Sequence, residues 1–174
     1  TIDFHFYNGL TADFLEDLKN QKYDFTFCSR MDQEPLIDFI PVARQELVVI
    51  VPPDHPLSDR TEIRLSETLD YPQILFSRRS GLRPMIDKLF LACGKQPDCI
   101  FEIDEDQTIA GFVANGFGIA VVPNMPILTN MHLKVIHITE ANWERRFYIA
   151  YLKNRYRTPL AEKFLSYVKS HALI

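Results

Sequence analysis

The chain has 174 residues, 47% of them apolar and 24% charged, a composition that builds a buried core and fits one domain or two small lobes. Its 19 Lys and Arg against 23 Asp and Glu leave a formal net charge of −4, the wrong sign for a fragment that grips nucleic acid through its phosphates. No run of about 18 apolar residues is present to span a membrane, and the N-terminus lacks the order of charges and apolar residues of an export signal.

The chain opens Thr1-Ile2-Asp3 without an initiator Met and is read as a fragment that continues upstream. Ile2, Phe4 and Phe6 alternate with Asp3 and His5, the period of a strand, which Asn8-Gly9 ends. Phe14, Leu15 and Leu18 then fall at helical spacing with Thr11 as N-cap, and Phe25-Thr26-Phe27 forms the next strand. A strand–helix–strand unit of this kind makes a right-handed crossover and places ligands beyond the carboxyl ends of its strands, here at Tyr7–Gly9 and Cys28–Arg30. Glu46–Val51 reads as a continuous apolar strand stopped by Pro52 and Pro53.

Beyond it the pattern predicts a short helix over Leu65–Leu69, a strand over Pro72–Phe76, a helix over Leu82–Cys93 closed by Gly94, and a strand over Cys99–Ile103. Ile109, Phe112 and Val113 mark a helix, Ile119–Val122 a strand stopped by Pro123, and two further strands follow over Leu133–Ile138 and Phe147–Leu152. A last helix runs from Thr158 or Pro159 to about Ser170. Strands alternating with helices predict an open, mainly parallel α/β architecture. Two lobes would require the chain to cross twice, near Pro52 and around Asn142–Phe147.

No catalytic or metal constellation emerges from the motifs, so neither an enzyme nor a cofactor or metal is expected. Gly116-Phe117-Gly118 follows a helix and precedes a strand, the reverse of a dinucleotide fingerprint, and reads as a left-handed helix terminator and tight turn. Ser77–Gly81 lacks the spacing of a nucleophile elbow. His132 and His137, five apart, point to opposite faces of a strand. Glu102, Asp104, Glu105 and Asp106 read as caps of the helix that follows, and Arg145, Arg146, Lys153, Arg155 and Arg157 as a solvated basic face. Cys28, Cys93 and Cys99 match no zinc or dithiol spacing, which predicts buried, inert thiols in a reducing compartment such as the cytosol.

A binding site remains. Helices starting near Thr11, Ser80-Gly81 and Asp106–Thr108 would turn free N–H groups toward one cleft. Ser77, Ser80, Thr11 and Thr108 would add hydroxyls there, and Arg30, Arg78 and Arg79 charge, a set suited to a small carboxylate.

Three stretches, in order and spacing, resemble one family: Glu46–Leu57, Ile74–Gly81, and Thr108 followed by Phe112–Pro123, within which Val113-Ala114-Asn115-Gly116-Phe117-Gly118-Ile119-Ala120 is the most specific. With Tyr23–Phe27 they are similar to the effector-binding domain of LysR-type transcriptional regulators over essentially the whole chain. The resemblance implies a two-lobed fold like the type II periplasmic binding proteins, with two crossing strands joining the lobes. Lobe I is expected at residues 1–50 and 149–174, lobe II at 51–148. A small, anionic effector is implied in the cleft, held by Thr11, Ser29, Ser77, Arg78, Ser80 and Thr108. The family also implies a separate winged helix-turn-helix that carries DNA binding, a cytoplasmic homodimer or homotetramer without membrane contact, and an earlier strand and helix that this chain lacks. The alternative on the same fold is an extracytoplasmic solute-binding receptor.

Overall fold

The structure, a computed structural model, describes residues 5–140 and 144–173. In chain order the elements are α1 (Thr11–Lys19), β1 (Thr26–Cys28), β2 (Ile37–Val51), β3 (Glu62–Ile63), β4 (Gln73–Phe76), α2 (Arg83–Ala92), β5 (Cys99–Ile103), α3 (Asp106–Ala114), β6 (Ala120–Pro123), β7 (Lys134–Ile138), β8 (Glu144–Leu152) and α4 (Pro159–Ser170). Short 3₁₀ turns occupy Leu65–Thr68 and Pro126–Asn130.

The organising element is β2, whose 15 residues reach about 50 Å at the rise of an extended chain. Sequence pattern identified only its last six residues, Glu46–Val51, and upstream of them lies Pro41, which cannot donate to a ladder. In the structure Pro41 falls at an irregularity, where the pairing with β8 shifts register between Pro41 and Ala43. From Ile37 to Glu46 the strand pairs antiparallel with β8; from Leu47 onward it changes neighbours and pairs antiparallel with β6 and β7. The parallel ladders, β3 with β7 and β4 with β5, come from the stretches where a helix or turn intervenes between strands.

Each end of β2 therefore lies in a different core. Leu47–Val51 join β4, α2, α3, β6 and β7 in one large apolar cluster in which Phe90, Ile109 and Ile136 are fully buried. At the other end β1, β8 and β2 form a small sheet with α1 on one face and α4 on the other. The two-residue period of β8 decides this: Ala150 packs with Leu15, Leu18 and Ile37, whereas Ile149 and Tyr151 pack with Val42 and Leu165. The helix α4 starts where pattern placed it, and the Thr158 hydroxyl caps it by accepting the Ala161 N–H at 3.3 Å.

Several expectations change. Residues 5–10 carry no regular structure, and the rest of the strand expected at Ile2–Phe6 lies outside the described residues, as do Asn142 and Trp143 of the second expected crossing. Thr11 is the first helical residue and Leu10 the N-cap. Pro123 is the last residue of β6. Glu105 occupies the N-cap of α3 without a side-chain cap, and of the acidic group it is Asp106, in the first turn, that accepts an end N–H, that of Gln107 at 3.0 Å. Of the cysteines only Cys28 is buried, its thiol pushed up to about 12 by burial; Cys99 is exposed. His137 meets Glu46 at 2.6 Å rather than standing alone.

Gly116 terminates α3 at φ 78° as the pattern required. Gly118 is more constrained: its φ is 151°, and a Cβ there would sit 3.0 Å from the Pro72 carbonyl oxygen. Gly118→Ala is expected to cost about 2 kcal/mol or more, read as a lowered midpoint in urea unfolding.

Candidate functional site

A cavity of about 220 Å³ opens where the two cores face each other. Its walls are Gly9, Leu10 and Thr11 at the start of α1; Phe76, Ser80 and Leu82 between β4 and α2; Asp104, Glu105 and Asp106 before and within the first turn of α3; and Arg145 from β8. The three helix N-termini expected to converge do converge. None of the three is closed by its N-cap side chain, in contrast to α4. Their positive dipole ends border the cavity, although the Arg83 N–H already donates to the Ser80 carbonyl at 3.2 Å, Pro84 has none to offer, and the Gln107 N–H donates to Asp106 Oδ1 at 3.0 Å.

Arg145 supplies the charge. Its Nε donates to the Ser29 hydroxyl at 3.2 Å, and its guanidinium lies 3.8 Å from the centre of the Phe147 ring. No carboxylate lies within ion-pair distance of it among the described residues. Burial pushes its pKa down to about 10, with Asp106 acting in the opposite direction. A cation desolvated this far without a paired anion favours an anionic ligand. The reading of Arg145 as part of a solvated basic face is therefore corrected. The signal was present: β8 begins at Glu144, three residues before the expected start, and strand period places Arg145 on the side of Phe147 and Arg146 on the other.

The six residues expected at the site are distributed as follows. Thr11 lines the cavity, and so does Ser80, which is 7% exposed and accepts the Leu82 N–H at 3.3 Å. Ser29 is 6% exposed and reaches the cavity through its bond to Arg145. Ser77 anchors the loop by donating its N–H to the Ile103 carbonyl at 2.9 Å, while its hydroxyl oxygen is buried without a hydrogen-bond partner. Arg78 and Thr108 are exposed and stand outside the lining residues. Of the other arginines considered, Arg79 is engaged by Asp13 and Arg30 lies over Phe39.

Behind this wall Arg83, 7% exposed, donates to the Phe76 carbonyl at 2.6 Å, to Glu102 at 2.7 Å and to Asp87 at 2.7 Å. One guanidinium thus ties the end of β4, β5 and the first turns of α2 together and fixes the Ser77–Leu82 loop. The Arg83 hydrogen bond holds the Glu102 carboxyl below its ordinary value.

The LysR substrate binding domain family matches residues 1–173. The chain belongs to that family. Among its relatives, the "Uncharacterized HTH-type transcriptional regulator YybE" of Bacillus subtilis is 37% identical over 157 residues, covering 90% of this chain and 54% of that protein. This LysR-family chain thus spans about half the length of the curated relatives it matches. Of solved structures, the effector binding domain of QuiR in complex with shikimate superimposes with a TM-score of 0.95 at 39% identity, covering 97% of this chain and 81% of that one. The regulatory domain of Synechocystis CcmR in complex with 2-PG gives 0.82 at 23% identity, covering 94% and 80%, and speaks to the fold alone. The fold of this LysR domain is accordingly the two-lobed, periplasmic-binding-protein-like one, with the cavity between its lobes. Among the described residues no helix is long and apolar enough to cross a membrane.

Proposed function

We propose that this chain is the effector-sensing part of a LysR-type transcriptional regulator, holding a small hydroxylated monocarboxylate between its lobes. The observation that carries this reading is the unpaired, desolvated Arg145 facing three helix starts that lack side-chain caps. The carboxylate would sit at Arg145, and the unpartnered hydroxyl of Ser77 lies in the loop that forms the neighbouring wall. Opposite stand Asp104, Glu105 and Asp106, acceptors that repel a second negative charge and reward hydroxyl donors. The shikimate held by the QuiR domain has this chemistry, a carboxylate with hydroxyls.

Thr11, Ser29 and Ser80 support the site directly, and Arg78 and Thr108 belong to its rim in this reading. Lobe I comprises the chain to Glu46 and from Glu144 onward, a shift from the boundaries at 50 and 149 favoured by the packing of Leu47–Val51 in the large cluster. The protein acts by population shift, a bound effector favouring one cleft opening, and not by turnover. DNA contact falls to a separate domain of a cytoplasmic homodimer or homotetramer, as the helix-turn-helix relatives suggest; they favour this over a transport receptor.

Calorimetric titration of the 174-residue chain tests the reading. Shikimate is expected to bind saturably at one site, and cyclohexanecarboxylate about tenfold or more weakly because it leaves the acidic wall without donors. Absence of binding by either compound would remove the reading.

A further inference from the structure

Gly81 packs against the opposite lobe. A Cβ placed on it would fall 2.8 Å from Thr11 Oγ1 and 2.9 Å from Ser29 Cβ, closer than side chains approach one another. Its φ lies outside the left-handed region, so what this position demands is absence of a side chain, not glycine's backbone freedom. Thr11 can rotate its hydroxyl away, but Ser29 Cβ moves only with its backbone. Nearby, Arg79 Nη2 stands 2.6 and 2.7 Å from the two oxygens of Asp13, joining the β4–α2 loop to the first turn of α1.

We propose that Gly81 and the Asp13–Arg79 pair are positioning residues that set how far the lobes close: Gly81 permits the approach, and the ion pair latches it. This inference rests on the effector-binding reading above. It accounts for an ion pair that spans the cleft outside the cavity lining, and for a bare backbone where the lobes are nearest. The pair is more than half exposed, which suits a latch that must release. A ligand's affinity scales with the fraction of molecules able to close around it, so both features act on binding without contacting the ligand.

The test uses shikimate titration, with circular dichroism to confirm folding. Gly81→Ala is expected to weaken binding about tenfold or more. Asp13→Arg is expected to weaken it roughly two- to fivefold, and the double change Asp13→Arg with Arg79→Asp to restore it. In parallel, spin labels at Lys163→Cys and Lys95→Cys, with Cys93 and Cys99 replaced by Ser, report the distance between lobes. Gly81→Ala should lengthen that distance. Unaltered binding and spacing in Gly81→Ala, or a swapped pair that does not recover, would overturn the proposal. Should the parent chain not bind shikimate, the effector reading fails on its own, and the label distances in Gly81→Ala against the parent still decide the role of Gly81.

Discussion

Arg145→Met is expected to lower carboxylate affinity by roughly two to three orders of magnitude, since it removes a charged donor from a desolvated site. The same change is expected to raise the thermal midpoint of the ligand-free chain by a few degrees, an order-of-magnitude figure for a domain of this size. The opposite signs follow from one cause. Burial depresses the guanidinium to about 10, so the folded state holds this proton less tightly than the unfolded chain does. Below about pH 10 the charged Arg145 therefore costs stability, and that cost is relieved as pH rises from there toward its ordinary value of 12.5. Methionine can still pack its side chain against Phe147 and removes the half-buried charge. Calorimetry for binding and a thermal scan for folding, on the same preparation, check both halves. A variant that bound normally, or one that lost stability along with binding, would show that Arg145 is a structural arginine.

Arg83→Ala is expected to have the largest effect on folding, a loss of roughly 2–4 kcal/mol in denaturant unfolding, because it leaves the Phe76 carbonyl without its charged donor inside the protein. Binding should fall as well, since the Ser77–Leu82 wall loses its brace, and Lys should rescue poorly because one amine cannot serve three acceptors in a fixed fork. The acid limb gives a second readout. Glu102 is depressed by its bond to Arg83, so the pair's contribution is full above the ordinary carboxylate value of 4.5 and is lost as pH falls through the lower folded one. The Arg83→Ala chain should lack that part of the acid dependence.

Most elements could be read from pattern because helix and strand periods are local. The start of α4 and the glycine turn after α3 were legible for the same reason: both are decided by a few adjacent residues. What escaped was set at a distance. The first nine residues of β2 went unread, and only the shifted pairing with β8 shows how that strand passes Pro41. Arg145 was hidden among neighbouring basic residues because the start of β8 was placed three residues late, and its burial depends on Phe147, Ser29 and the facing lobe. Thr11, Ser77 and Ser80 were nominated by the helix starts they stand near and Ser29 by the family resemblance alone; the closeness of Gly81 to the other lobe depends on tertiary placement and leaves no such mark.

At Arg44 and Gln45 the ladder narrows to β2 and β8 alone, with a core gathered at either end. Two antiparallel ribbons resist stretching and shear through their backbone hydrogen bonds, yet twist and bend with little resistance. A swing about this isthmus would change the angle between the two cores while leaving the pairing within each intact, so a ligand touching both halves would act on that angle without reshaping either.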